Sequence, residues 1–209
     1  MARKTKEESQ ATYTALLDAA EHVFCEKGVT HTTLNDVANA AELTRGAIYW
    51  HFKDKAALFQ ALCDRAFLPM DALYQAIYLA HSVDPLASLK QLSIQLLKNV
   101  AQDERQRRVF EIIFHRCEKT QGLAMFLQEQ EKRTECLSQM DTLIAKAVKQ
   151  GQLPADTDTF IAMQATHGFL VGLLHEWSLE PEAYDLAQHA EAMVELFLAG
   201  LVVKPPRKK

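Results

Sequence analysis

The segment TLNDVANAAELTRGAIYWHFKDK, residues 33 to 55, decides how the rest of the chain is read. Leu34, Val37, Ala38 and Ala41 recur at helical spacing, and Thr33 with Asp36 three residues on has the form of a capping box. A short helix over 33–40 follows from that. After a turn through Glu42 and Leu43, Thr44 caps a second short helix running to about Trp50, and Asp54 caps the start of another. Helix, three-residue turn, short helix is the spacing of a helix-turn-helix. Tyr49, Trp50 and His51 are consecutive, and helical neighbours point about 100° apart, so one core cannot receive all three rings. With Ile48 and Phe52 turned inward, Arg45, Tyr49, Trp50 and His51 face outward, where a DNA major groove would receive them. Gly46 lets the backbone come close to a duplex. Threonine and tyrosine hydroxyls and imidazole suit phosphate oxygens, whereas Arg45 is the side chain here able to bond guanine bidentately. Lys55 falls in the first turn of the next helix, where free N–H groups and the dipole already favour an anion such as phosphate. The rival reading is that the rings cement three small helices and the cations are merely solvated.

Around this segment the composition is that of an all-α protein. Of 209 residues 48% are hydrophobic and 24% charged, and only 7 Gly and 6 Pro leave little material for hairpins. The polar start MARKTKEESQ has no apolar run behind it, and LFLAGLVV at 196 to 203 is far shorter than the roughly 20 residues a membrane span needs, so a cytoplasmic protein is expected. Cys25, Cys63, Cys117 and Cys136 include no CxxC pair and are expected as reduced, buried thiols. Net charge is −4, which by itself argues against a nucleic-acid partner. The acid is unevenly placed, however. Residues 61–203 hold 19 Asp/Glu against 12 Lys/Arg, while residues 1–60 hold 8 against 7, with Arg3, Lys4 and Lys6 gathered at the first end. Arg3 and Lys4 are therefore added to the candidate DNA contacts.

Helical periodicity continues on both sides. A helix fits 8–27, stopped by Lys27-Gly28, and the one begun at Asp54 can run to about Ala80 as a connector, with Pro69 as the place for a kink. Asp84-Pro85 is a cap followed by proline at the first helical position, opening a helix to about Val100. Further helices fit 103–118, 121–150, 157–179 and 183–203, about nine in all, and the PPRKK tail at 204–209 is expected to be disordered. A DNA-binding domain over 1–55 and a second domain over 56–203 are expected.

The run TLNDVANAAELTRGAIYWHFKDKAALF resembles the DNA-binding signature of the TetR/AcrR repressors. MARKTK at the start, EIIFHRCE at 111–118 and GQLPAD at 151–156 resemble the subgroup that controls multidrug efflux pumps. The resemblance implies a homodimeric repressor whose first three helices bind operator DNA and whose larger domain binds hydrophobic or aromatic inducers. Carried onto matching positions, Thr33, Thr44, Arg45, Gly46, Tyr49, Trp50, His51 and Lys55 are the expected DNA contacts. Two positions depart from the pattern. Glu42 stands where Gly is common, so the turn either holds a non-glycine residue at positive φ or takes another shape, and Tyr13 stands where Arg is frequent.

Two long faces fit a dimer: Ala165, Gly168, Phe169, Gly172, Leu173 and Glu176 along 157–179, and Ala190, Met193, Val194, Phe197, Leu198 and Leu201 along 183–203. Internal core is the alternative for both. A ligand chamber is expected from Leu89, Leu92, Ser93 and Leu96, with Phe110 and Phe114, Cys136 and Met140, Met163, His167, Leu170, Val171 and Leu174, and Ala66. Core packing competes with that reading for each residue, and His167 is the one that would fix a ligand's polar edge. Glu111 and His115, at i and i+4, make half a metal site at best, so neither metal nor cofactor is expected. No GxSxG, Walker loop or dinucleotide fingerprint occurs, and His175-Glu176 lacks the second histidine of HExxH, so catalysis is not expected. A helical adaptor that binds another protein and no DNA is the remaining alternative.

Overall fold

The computed structural model describes residues 6–80, 84–117 and 131–208, without the side chains of 68–80 and 131–136. Among the described residues the fold is all-α. The helices are α1 (Lys6–Lys27), α2 (Leu34–Ala40), α3 (Arg45–His51), α4 (Lys55–Ala80), α5 (Pro85–Gln102), α6 (Glu104–Glu111), α7 (Glu131–Lys149), α8 (Thr159–Leu179) and α9 (Leu186–Val203). A π-helical turn, Ile112–Arg116, continues α6. The expected 103–118 helix therefore changes its winding at Ile112, and the expected start of the next one, at 121, lies outside the described residues. Cys25, Cys63 and Cys117 are thiols outside any disulfide; Cys63 is buried as expected, whereas Cys25 and Cys117 are only half-buried.

The chain divides into two compact units, residues 1–68 with 108–126, and residues 69–107 with 127–209. The sequence places the boundary near residue 55. The compact unit instead keeps the first half of α4 and recruits the chain from Arg108 onward.

In the first unit, Leu16, Leu17, Ala20, Val23 and Phe24 of α1 are buried, together with Val37 and Ala38 of α2, Ile48 of α3, and Leu58, Phe59 and Leu62 of α4. Phe24 and Phe59 meet edge to face, ring centroids 6.0 Å apart. Caps set the element lengths. The Thr33 side chain accepts from the Asp36 amide while the Asp36 carboxylate accepts from the Thr33 amide, the complete box. Thr44 accepts from the Ala47 amide and Asp54 from the Ala57 amide. Gly28, at φ 77, ends α1 in the left-handed region as expected for a residue without Cβ.

One charged cluster is buried in this unit. Glu21 of α1, only 2% exposed, accepts from Arg65 of α4 at 2.8 Å and from Arg108 of α6, and Arg65 also donates to Asp18 at 2.6 Å. A carboxylate taken out of water needs such donors, because desolvation of an unpaired charge costs several kcal/mol, on the order of the whole stability of a small domain.

In the second unit, α5 packs against α7, α8 and α9, and α7 against α8. Asp84, Asp158 and Asp185 cap α5, α8 and α9. Lys90 of α5 bridges to Glu191 at 3.5 Å and Glu195 at 2.5 Å on α9. The expectation of a disordered tail is not met for residues 204–208. Thr157 and Arg207 form an antiparallel bridge, the Asp158 amide donates to the Pro206 carbonyl at 2.8 Å, the Lys208 amide donates to Asp156 at 2.9 Å, and Arg207 pairs with the Asp156 carboxylate. Pro205 is buried. Backbone pairing and one ion pair hold a segment whose composition alone promises none.

Candidate nucleic-acid interface and ligand cavity

The turn before α3 fixes what α3 presents. Glu42 sits at φ 55, the left-handed conformation that its place in the turn demands, with its amide donating to Asn39 at 3.0 Å and that of Leu43 donating to Ala38 at 2.8 Å. The chain then re-enters a helix at Thr44. Ile48 is 0% exposed and Phe52 is buried, so the opposite face of α3 must look outward. Trp50 is 82% exposed and Tyr49 47%, an arrangement that is costly unless something covers it, since burying each ring would gain about 1.5–3 kcal/mol. Arg45 is exposed and lies over the Tyr49 ring, 5.3 Å from its centroid, so its guanidinium is pre-oriented while its donors stay outward. Gly46 is exposed beside them, and a Cβ there would meet nothing closer than the Thr44 hydroxyl at 3.9 Å.

The remaining candidates divide. The Thr44 hydroxyl is exposed and accepts from the Ala47 amide at 3.2 Å. Thr33 is exposed but more committed: its amide and its hydroxyl both donate to Asp36, at 2.8 and 2.6 Å. This holds the Asp36 carboxyl at about 2, below its ordinary 3.8, through the Thr33 hydroxyl first and the Thr33 amide second. His51 is half-buried, its ring 5.6 Å from that of Tyr13, which stacks on Phe52 at 5.2 Å. Tyr13 thus holds His51 at the edge of the surface.

Lys55 has surroundings other than those expected of it. Placed by its sequence position as a phosphate contact, it instead turns inward and donates to the carbonyls of Val29, Thr30 and Thr32 at 2.6, 2.9 and 2.8 Å. An ammonium has three donors, and all are used. Lys53, not singled out from sequence, has an exposed side chain, with Asp54 4.0 Å away. Arg3 and Lys4 lie outside the described residues.

In the second unit a cavity of about 70 Å³ is lined by Leu89, Leu92, Ser93 and Leu96 of α5, Gln139, Met140 and Leu143 of α7, and Leu170 of α8. Six of the expected ligand residues meet there. Its walls are apolar, and the Ser93 hydroxyl donates to the Leu89 carbonyl at 2.8 Å, so the side-chain amide of Gln139 is the larger polar group on the wall. Gln139 and Leu143 escaped the sequence reading. Met163 and Leu174 are buried and His167 and Val171 half-buried on α8, none of them on this wall. The Cys136 side chain lies outside the described ones. Ala66, Phe110 and Phe114 belong to the first unit, where Ala66 is buried and the Phe110 ring lies 5.2 Å from Phe67 and 5.4 Å from Phe114.

The two expected dimer faces also separate. Ala165, Gly168, Gly172 and Glu176 are exposed along α8, with Phe169 and Leu173 half-buried beside them. On α9, Ala190, Val194, Leu198 and Leu201 are buried within the chain, Met193 is half-buried, and Phe197 stacks on Phe169 of the same chain at 4.5 Å. Ala190, Val194, Leu198 and Leu201 thus take the internal-core alternative that their spacing also allowed, while Met193 and Phe197 stay partly open. The outward face of α9 is instead Ala192, Leu196, Ala199 and Val203.

An outward helix-turn-helix together with a helical bundle that holds an apolar cavity is the build of a ligand-responsive DNA-binding repressor. Residues 16–62 match the bacterial regulatory proteins of the tetR family, and residues 84–203 match the C-terminal region of MAATS-type transcriptional repressors. The chain belongs to the TetR family of transcriptional repressors, a family of regulators and not of enzymes. It is 38% identical over 210 residues to the HTH-type transcriptional regulator TtgR of Pseudomonas putida, covering all of both chains. It is 36% identical over 208 residues to the HTH-type transcriptional regulator AcrR of Shigella flexneri, covering 98% of this chain and 96% of that one. Among solved structures it resembles NalD, the secondary repressor of the MexAB-OprM multidrug efflux pump in Pseudomonas aeruginosa, with a TM-score of 0.79 and 34% identity over 93% of this chain and 98% of that one. It also resembles SmeT in complex with triclosan, with a TM-score of 0.77 and 31% identity over 93% of this chain and 95% of that one. The match of residues 16–62 sets aside the adaptor reading.

Proposed function

We propose that this chain is a homodimeric repressor of multidrug efflux pump genes, released from its operator by hydrophobic, drug-like molecules. One observation carries the reading: α3 buries Ile48 and leaves Arg45, Tyr49 and Trp50 in solvent, a surface with chemistry for bases and phosphates and no partner within the chain's own core. Relatives that regulate efflux pumps support the choice of genes. A cavity walled by leucines and a methionine supports apolar ligands.

The dimer follows from the outward faces of α8 and α9. Adding a Cβ to Gly168 or Gly172 would meet no heavy atom within 4 Å, so nothing inside the chain requires glycine there. Leu196, 79% exposed, and Val203 complete an apolar strip that a second copy would cover. A two-fold pair presents its recognition helices to half-sites about one helical turn, roughly 34 Å, apart. Ligand then acts by binding the form that does not hold DNA more tightly, and a preference of about 10- to 100-fold corresponds to roughly 1.4–3 kcal/mol of coupling.

The test is a gel shift with duplex DNA from upstream of the chain's own gene and of neighbouring pump genes. Binding that falls steeply with salt, disappears in Tyr49→Ala and is relieved by a hydrophobic drug supports the reading. Wild-type protein that ignores these duplexes at every salt concentration overturns it.

A further inference from the structure

The ammonium of Lys55 sits in a cage made by one loop. The carbonyls of Val29, Thr30 and Thr32 converge on Nζ at 2.6, 2.9 and 2.8 Å. The same loop is closed elsewhere by a buried Thr32, whose hydroxyl donates to the Gly28 carbonyl at 2.7 Å, and by the Val29 amide, which donates to the Arg116 carbonyl at 2.8 Å. The next residue, Thr33, is the N-cap of α2, and α2 packs on both α1 and α3. Whatever sets this loop sets the start of the helix on which α3 rests.

Electrostatics agree with an inward role. A cation in the first turn of a helix faces the positive end of the dipole, which costs about 0.3–1 kcal/mol unless something negative stands near. Here three peptide carbonyls supply the negative ends of their dipoles, filling the place that a phosphate was expected to fill. Burial holds the lysine below its usual pKa, as befits a head group drawn partly out of water. Lys53, two residues earlier, keeps its side chain 83% exposed.

We propose that Lys55 is a positioning residue for operator recognition: it fixes the loop from Gly28 to Thr33, and through it α2 and α3, and makes no contact with DNA. The proposal rests on the repressor reading above. Its distinguishing mark is salt dependence, because removing one phosphate-binding cation flattens the slope of log K against log salt by about 0.9, whereas removing a positioning residue weakens binding and leaves the slope alone. Arginine separates the two roles as well. It serves a phosphate as well as lysine does, but its rigid planar fork does not match three carbonyls converging on one point.

The experiment measures binding of full-length wild type, Lys55→Met, Lys55→Arg and Lys53→Met to duplex DNA from upstream of the chain's gene, from about 50 to 200 mM salt. Lys55→Met and Lys55→Arg should each weaken binding about tenfold or more with an unchanged slope, and Lys53→Met should flatten it. A flattened slope in Lys55→Met, or wild-type affinity in Lys55→Arg, overturns the proposal. Amide hydrogen exchange without DNA gives an independent reading: the Val37, Ala38 and Ala41 amides should exchange faster in both Lys55 variants while those in the middle of α1 stay protected, and unchanged exchange also overturns it. Should Lys55→Met not fold, Lys55→Arg carries both measurements. Wild-type protein that binds no duplex sinks the repressor reading, and exchange still decides whether Lys55 holds α2.

Discussion

At the scale of single residues, the most informative position is Glu42. A non-glycine residue in the left-handed region costs roughly 1–2 kcal/mol, and this one also brings a carboxylate into the turn between α2 and α3. Glu42→Gly should therefore stabilise the protein by about 0.5–1 kcal/mol, once glycine's greater freedom in the unfolded chain is subtracted. It should also tighten operator binding by removing a like charge from the phosphate surface. Urea unfolding and a binding titration read the two effects separately. The resemblance to the TetR/AcrR signature exposed this position because Glu stands where Gly is common there, and helical spacing placed Ile48 and Phe52 inward and Trp50 outward. Neither foretold the surroundings of Lys55. Position on a helix says which way a dipole points, but not that three carbonyls from a loop 23 to 26 residues earlier will be waiting for the ammonium.

At the scale of elements, short helices depend on their caps more than long ones do, and α2 has only seven residues. Thr33→Ala should cost about 1 kcal/mol and return the Asp36 carboxyl toward its ordinary 3.8. The sign follows from linkage. Because the folded carboxyl titrates at about 2, lower than in the unfolded chain, its contribution is present above pH 4 and is lost as pH falls toward 2. Carbon chemical shifts of Asp36 during an acid titration, in wild type and in Thr33→Ala, test both statements. Glu21 joins α1, α4 and α6, and replacing it with Gln leaves Arg65 and Arg108 facing an amide. Breaking such a pair costs about 3–5 kcal/mol when fully buried, and partial exposure of both arginines reduces that to about 2–3 kcal/mol by urea unfolding. Capped starts and glycine stops were legible from residue types, because each meets a local demand of the backbone. The ion cluster and the tail bridge were not, since both join positions far apart in the chain.

At the scale of the whole molecule, two opposite effects should meet at Gly172. In the single chain a side chain there has open space, so Gly172→Leu should raise helix stability by about 0.8–1 kcal/mol. In the pair it should hold the helices apart. Sedimentation should show dissociation into monomers while thermal unfolding at low concentration shows a gain, and operator affinity should fall with the loss of the second reading head. A stable dimer in this variant would place the contact surface elsewhere. Periodicity marked α8 and α9 for this role but could not say which face of α9 turns out, because Val194, Leu201, Leu196 and Val203 are equally apolar and only packing against α5 assigns them.

The wide turn at Ile112–Arg116 has a consequence for insertions and deletions. In an unbroken α-helix Arg116 would point roughly 80° away from Arg108, eight residues earlier at about 100° each. Slower winding over five residues gives back about one residue of rotation, so the arginine that meets Glu21 and the carbonyl that meets Val29 come to the same side. Shortening this stretch by one residue would straighten the helix and keep that phase, because seven α-helical steps of about 100° return to within about 20° of the start, whereas adding one residue would swing the two attachments apart.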